Sequence, residues 1–237
     1  IGLVGKGVTY DTGGLNIKIN NMHFMKCDMG GATIVLGAIE LIARLKLPIH
    51  LVVVVPTTEN DVDATAVKPG DVIGSYSGKT IEVIDTDAEG RLILADGLAY
   101  LNAEYQPDVM IDVATLTGNS VMALGDQAGA LFTHDDSLSQ LFFQTSETTG
   151  ERVWRMPLWE EYAREMDSDI ADIKNYHGKP MAGAITAAKF LEFFTNKHPR
   201  WAHLDIAAMV FGGSPFGKDK NATGYGPRMM VDVLENI

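Results

Sequence analysis

The sequence predicts an α/β fold of three layers, α/β/α: a mostly parallel, mixed central sheet with helices on both faces. Three observations carry this expectation. Short β-branched apolar runs recur at residues 1–4, 49–55, 81–84, 109–114 and 202–207, each reading as a strand buried on both faces. Segments with helical spacing lie between several of them, the alternation that builds a parallel sheet. The 237 residues, 46% hydrophobic and 21% charged, have ordinary globular composition and can bury about 70–75% of the surface of the unfolded chain.

In chain order, the run 1–4 leads into a glycine-rich loop. Residues 30–45 then place Ile34, Ala38, Leu41, Ile42 and Leu45 on one helical face. The runs 49–55 and 81–84 follow. Residues 91–105 put Leu94, Leu98 and Leu101 on one face, and 183–194 do likewise with Ile185, Ala188 and Leu191. The runs 109–114 and 202–207 supply the remaining strands. No repeat, low-complexity tract or linker interrupts the chain, so residues 1–237 read as one unit. The chain opens on Ile1, without methionine, directly in a buried strand, and the start of the parent protein is expected to be missing.

Composition excludes several classes. A single cysteine, Cys27, cannot form an intrachain disulfide and fits a reducing compartment; it reads as a small buried side chain. With 31 acidic against 19 basic side chains the formal charge is −12, which argues against nucleic acid as a partner. The longest apolar stretch, 51–55, falls far short of the roughly 18 residues that span a bilayer, and no basic region followed by an apolar stretch opens the sequence, so a secretion signal is not expected.

Open parallel sheets bind ligands in loops beyond the carboxyl ends of strands, and three such loops stand out. They are Gly5-Lys6-Gly7-Val8-Thr9-Tyr10-Asp11-Thr12-Gly13-Gly14, followed by Lys18; Met25-Lys26-Cys27-Asp28-Met29-Gly30-Gly31; and Asp85-Thr86-Asp87-Ala88-Glu89-Gly90-Arg91-Leu92. Each sets a carboxylate beside glycines that let the backbone turn sharply. Taken singly, such an acid before a helix is an N-cap. Together, Asp11, Asp28, Asp87 and Glu89 would repel one another strongly, and bound dications would relieve that repulsion. An all-oxygen set suits Mg²⁺, Mn²⁺ or Zn²⁺. The spacing of Gly5-Lys6-Gly7 does not match a phosphate loop, no serine sits in a nucleophile elbow, and no pair of histidines has metal-ligand spacing.

These loops, with Asp112-Val113-Ala114-Thr115-Leu116-Thr117-Gly118, Trp201-Ala202-His203-Leu204-Asp205-Ile206-Ala207 and Ala222-Thr223-Gly224-Tyr225-Gly226-Pro227-Arg228, resemble the leucyl aminopeptidase (cytosol aminopeptidase) family of two-metal exopeptidases. The match runs in order over nearly the whole chain. The resemblance implies that Lys6, Asp11, Asp28 and Glu89 hold one divalent ion and Asp11, Asp87 and Glu89 the other, with Mn²⁺ or Zn²⁺ bound and Mg²⁺ an option at one site. Lys6 would bind as the neutral amine, since neighbouring dications disfavour its protonated form. It further implies that a metal-bound water attacks the first peptide carbonyl and that Lys18 stabilises the oxyanion, a role worth about 3–4 kcal/mol. Arg91 would grip a bicarbonate-like proton acceptor.

By the same resemblance Met25, Thr115, Gly118 and Ala207 line the first-residue pocket, favouring leucine-like and methionine-like residues of peptides with a free N-terminus. A cytoplasmic homohexamer is implied, as are a smaller N-terminal domain and further catalytic-domain segments before Ile1. Residues 19–24 and 61–65, Thr12, Asp85 and Pro227 depart from the family pattern, and the first of these leaves substrate range open. The rival reading is a non-catalytic relative acting as a binding or regulatory scaffold. Retention of all seven predicted ligands and catalytic cations disfavours it.

Overall fold

The computed structural model describes residues 1–213 and 220–237. The chain begins with β1 (Gly2–Gly5) and β2 (Gly7–Asp11), passes a 3-10 turn (Met22–Cys27), and enters helix α1 (Gly30–Leu45). Four short strands follow: β3 (Val52–Val54), β4 (Thr57–Asn60), β5 (Val72–Gly74) and β6 (Thr80–Glu82). Next come α2 (Glu89–Tyr105), β7 (Met110–Ala114), α3 (Gly118–Leu124), β8 (Gly129–Thr133), α4 (Asp136–Thr149) and β9 (Val153–Arg155). The last third holds α5 (Glu160–Ala163), β10 (Ile173–Lys174), α6 (Gly183–Phe193), β11 (Trp201–Asp205), β12 (Phe211–Gly213), β13 (Lys220–Ala222) and α7 (Pro227–Glu235).

The main sheet has six strands in the order β3-β1-β7-β11-β8-β9. β3, β1, β7 and β11 run parallel, while β8 turns antiparallel to β11 and carries β9 parallel to itself. Side-chain alternation along these strands sorts the core into two halves. Leu3, Ile111, Val113, Leu131, Ala202 and Leu204 pack with residues of α1, α4 and α7 on one face. Val4, Met110, Ala114, Phe132 and Trp201 pack with residues of α2 and α6 on the other. The expected three-layer α/β/α architecture with a mixed sheet is therefore present.

Several local expectations need correction. The run 49–55 is an edge strand, β3, with Val52, Val53 and Val54 only half-buried, because β1 is its one neighbour in the sheet. The run 81–84 does not join the main sheet. Its β6 belongs to a separate three-stranded sheet, antiparallel to β5 and parallel to β10. β8 was not legible as a strand, although all five residues are buried. Pro227, a departure at the sequence level, is the first residue of α7, where its fixed φ and missing N–H fit a helix start. No helix among the described residues is long and apolar enough to cross a membrane.

Candidate metal centre

Lys6 sits where β1 ends and β2 begins. Its backbone N–H donates to Val113 O at 3.0 Å, extending the β1–β7 ladder, and its carbonyl accepts from Ala32 at 2.9 Å. β2 then leaves the main sheet and pairs with β4, with Asp11 opposite Asn60. Asp28 lies just ahead of α1, and Glu89 is the first residue of α2, where a helix N-terminus favours a carboxylate. Gly90 lies close against Lys6: a Cβ there would come within 2.6 Å of Nζ. Gly13 has φ +86°, and a Cβ would meet Asp87 Oδ1. Both positions thus need glycine, one for room and one for room and backbone conformation.

The fold gathers Asp11, Asp28 and Glu89 into one cluster, with Lys6 against it, while Asp87 is not among the carboxylates that converge within 4.8 Å. Asp11, Asp28 and Glu89 are all buried, and each offers an oxygen within 4.8 Å of the others. Lys6 Nζ lies 2.8 Å from Asp28 Oδ2 and 2.9 Å from Glu89 Oε1, and it also donates to Thr115 O at 3.0 Å. Asp87 joins through Lys18, whose Nζ is 2.5 Å from Asp87 Oδ1 and 2.9 Å from Asp11 Oδ2.

Burial sets the electrostatics. It pushes the Asp28 carboxyl up to about 7, against the pull of Lys6 and with a further push from Glu89. It also pushes Asp87 up to about 6, against Lys18. Burial alone would lower Lys6, but the carboxylates of Asp28 and Glu89 outweigh it and raise its pKa; Asp87 and Asp11 do the same for Lys18. Carboxylate neighbours by themselves thus favour the Lys6 ammonium; the neutral amine that could ligate a metal is expected only beside dications. Arg91 is lowered to about 10 by burial and stays cationic at neutral pH.

The donor set fits hard or borderline dications. Buried oxygens Asp28 Oδ2, Asp87 Oδ1 and Glu89 Oε2 have no hydrogen-bond partner among the described residues, the first two facing lysine ammoniums only as ion pairs. That leaves Glu89 Oε2 as the one of the three facing neither a hydrogen bond nor an ion pair among the described residues, and an unsatisfied buried carboxylate oxygen is costly and favours a cation. Above them opens a cleft of about 740 Å³ lined by Lys6, Asp11, Lys18, Asp28, Asp87 and Arg91. The four expected pocket residues, Met25, Thr115, Gly118 and Ala207, line the same cleft. Thr115 also has a second task, its hydroxyl donating to Asp28 Oδ1 at 2.7 Å.

Other polar residues of the site escaped the sequence reading. Asn60 Nδ2 donates to Asp11 Oδ1 at 2.8 Å and to Thr86 O at 3.0 Å, orienting one ligand and tying down the loop of another. Asn16 Oδ1 accepts from Thr86 N–H at 2.9 Å. Asp205, at the end of β11, accepts from the backbone of Leu116, Thr117 and Ala207 and from the Thr117 hydroxyl, so it holds the pocket loop in place. A buried acid at a strand end was the available signal for Asp205. The asparagines carried none.

The cleft opens at the mouth of the mostly parallel sheet, with clustered carboxylates beside it and Lys6, Lys18 and Arg91 in its lining, a donor set that could hold hard or borderline divalent ions. Residues 1–231 match the cytosol aminopeptidase family, catalytic domain, and the chain belongs to that family. It is 50% identical over 237 residues to a probable cytosol aminopeptidase of Chloroherpeton thalassium, covering 100% of this chain and 46% of that protein. A probable cytosol aminopeptidase of Chlorobium limicola is 51% identical over 236 residues, 99% of this chain and 46% of that one. The chain thus spans about half the length of these relatives. Among solved structures, the bottromycin maturation enzyme BotP in complex with Mn superposes with a TM-score of 0.93 at 41% identity, over 99% of this chain and 52% of that one. The cytosol aminopeptidase from Coxiella burnetii gives 0.92 at 41% identity, over 99% and 51%.

Proposed function

We propose that this protein is a two-metal aminopeptidase that hydrolyses the N-terminal peptide bond of peptides, preferring leucine-like and other apolar first residues. The observation that carries this reading is the convergence of Asp11, Asp28 and Glu89 within 4.8 Å beside a cleft that also holds Lys18 and Arg91. Lys6, Asp11, Asp28 and Glu89 would hold one ion, and Asp11, Asp87 and Glu89 the other. Bound there, two dications supply Lewis acidity and activate water as the nucleophile. Mn²⁺ and Zn²⁺ are the candidates, with Mg²⁺ an option at one position; a solved relative in complex with Mn supports the first.

The chain's own residues do the rest. Lys18 lines the cleft with its ammonium at the Asp11–Asp87 edge, and there it would polarise the scissile carbonyl and stabilise the oxyanion. Arg91, cationic and at the cleft wall, would hold a bicarbonate-like anion, which when bound would supply a proton acceptor. Met25, Thr115, Gly118 and Ala207 receive the first side chain, and the small residues among them leave room for a branched apolar group. Family membership supports a cytoplasmic homohexamer in which residues 1–237 form metal-bearing catalytic domain.

The test is hydrolysis of a leucine anilide. Turnover is expected, is abolished by a chelator, and returns with Mn²⁺ or Zn²⁺. Chelator-resistant turnover overturns the metal mechanism. Tight metal binding without hydrolysis of any N-terminal amide favours the scaffold reading instead.

A further inference from the structure

The segment joining β6 to α2 carries Asp87 and leads directly into Glu89, yet residues 84–88 belong to no strand or helix. Their support comes from far along the chain. β10 runs parallel to β6, with Ile173 opposite Ile81 and Lys174 opposite Glu82. Asn175 extends that ladder by one residue, its backbone N–H donating to Glu82 O at 2.9 Å. There its side chain takes over from the ladder. Oδ1 accepts from the backbone N–H of Ile84 at 2.8 Å and of Asp85 at 3.2 Å. Nδ2 donates to Asp85 O at 2.6 Å and to Ala88 O at 3.4 Å. A primary amide offers two donors and a two-lone-pair acceptor, and all of them are engaged by one loop. The backbone carbonyl of the same residue accepts from Arg91 Nη1 at 2.7 Å.

Asn175 has no exposed surface and does not line the cleft, although Tyr176 beside it does. Its side-chain hydrogen bonds all go to backbone groups and none to a carboxylate ligand. We propose that Asn175 is a positioning residue: through one buried side chain and its own carbonyl it holds the Asp87–Glu89 loop and the Arg91 guanidinium in a single frame. The inference rests on the aminopeptidase reading for its catalytic consequence, but not for its consequence on metal binding. Only an amide of this length can serve both the N–H and the C=O groups of the loop. Aspartate keeps the two accepted bonds, sets oxygen against two carbonyls and adds charge beside Asp85. Leucine keeps the volume and none of the bonds.

The test compares the unmodified protein with Asn175→Asp and Asn175→Leu by four readouts: Mn²⁺ binding by calorimetry, leucine-anilide kinetics at saturating Mn²⁺, amide exchange at Ile84 and Asp85, and thermal unfolding. Groups that orient a metal site from behind typically change affinity by about 10–100-fold. Both variants are expected to bind Mn²⁺ that much more weakly and to lose kcat by a similar factor once loaded, with KM moving less than kcat. In the unmodified protein the Ile84 and Asp85 amides should exchange as slowly as those of β7, and in the variants faster. A variant that unfolds at lower temperature yet shows unchanged Mn²⁺ affinity and unchanged kcat per folded molecule overturns the proposal, leaving a structural role only. Rapid exchange at Ile84 in the unmodified protein overturns it without any variant. If the unmodified protein binds Mn²⁺ but hydrolyses nothing, the aminopeptidase reading fails, and the binding and exchange readouts still decide the role of Asn175.

Discussion

Lys6 and Lys189 are both buried lysines, and each ammonium is held by two carboxylates: Lys6 by Asp28 and Glu89, Lys189 by Glu160 at 2.6 Å and Glu192 at 2.7 Å. Each cluster also contains three side chains able to offer metal ligands within 4.8 Å: Asp11, Asp28 and Glu89 in one, His134, Glu160 and Glu192 in the other. Their surroundings differ. The Glu160 side chain is 80% exposed, its pKa is held below the usual range by its bond to Lys189, and His134 meets Glu192 at 2.7 Å. Asp11, Asp28 and Glu89 are buried, Asp87 is partly so, and burial pushes Asp28 and Asp87 upward. The same residue types therefore make a buried lysine paired with part-solvated carboxylates in one place and a fully buried, carboxylate-rich cluster in the other. Burial with excess negative charge, and not ligand count, separates the two clusters and supports the proposed metal site at Asp11, Asp28 and Glu89.

The largest effect should separate the two clusters directly. Glu89→Ala is expected to strip metal and abolish leucine-anilide hydrolysis, while Glu160→Ala leaves metal content and turnover unchanged; elemental analysis and kinetics on both variants check this. Metal loss in Glu160→Ala would put a functional ion at the exposed cluster and break the comparison. Next, Lys18→Ala should keep its metal but slow turnover by about 10²–10³-fold, the scale of a lost oxyanion stabiliser. Equal metal loss in Lys18→Ala and Glu89→Ala would show that Lys18 serves the ions and not the carbonyl.

Stability gives the next contrast. Lys6→Met strands buried carboxylates and should cost the metal-free protein about 3–5 kcal/mol, with much of the loss recovered on adding Mn²⁺. Lys189→Met leaves carboxylates that water can solvate and should cost only about 1 kcal/mol. Denaturant titrations with and without Mn²⁺ distinguish these cases, and equal losses would mean that burial does not separate the clusters. The smallest effect concerns a buried pair with matched charge. His203 Nδ1 meets Asp112 Oδ1 at 2.5 Å, and Trp201 Nε1–H donates to Asp112 Oδ2 at 2.8 Å. Burial would lower the His203 pKa, but the Asp112 charge and hydrogen bond outweigh it, so the pKa is raised. A raised histidine contributes stability fully present below its unfolded pKa, near 6.5, and lost as pH rises through the folded value. Unfolding midpoints should therefore fall with rising pH above about 6.5, and the slope should flatten in His203→Gln.

Much of the site was legible because its signals are local. Asp11, Asp28, Asp87 and Glu89 each lie near glycines in the sequence, and the structure uses Gly13 for its positive φ and Gly90 for room against Lys6. The helices over 30–45, 91–105 and 183–194 showed their apolar faces by spacing, and the structure has them at Gly30–Leu45, Glu89–Tyr105 and Gly183–Phe193. The strand Gly129–Thr133 escaped because Gly, Ala, Leu, Phe and Thr form no β-branched run; its burial comes from β11 and β9 on its two sides. Asn60, Asp205 and Asn175 act on backbone or side chains tens of residues away, at separations of 49, 88 and 90, so no window of sequence displays their partners.

By itself the sequence determined the three-layer class, the acidic glycine-bounded loops and the family they resemble, because periodicity, turn chemistry and charge are properties of neighbouring residues. Tertiary structure alone decided which acids face one another, that Asp87 meets the others through Lys18, and that the run 81–84 serves a separate small sheet. It alone placed Asn175 behind the ligand loop. Those outcomes depend on strand order and on burial, which are set by the whole chain packing at once. A carboxylate becomes a metal-seeking group only when that packing removes the water that would otherwise satisfy it.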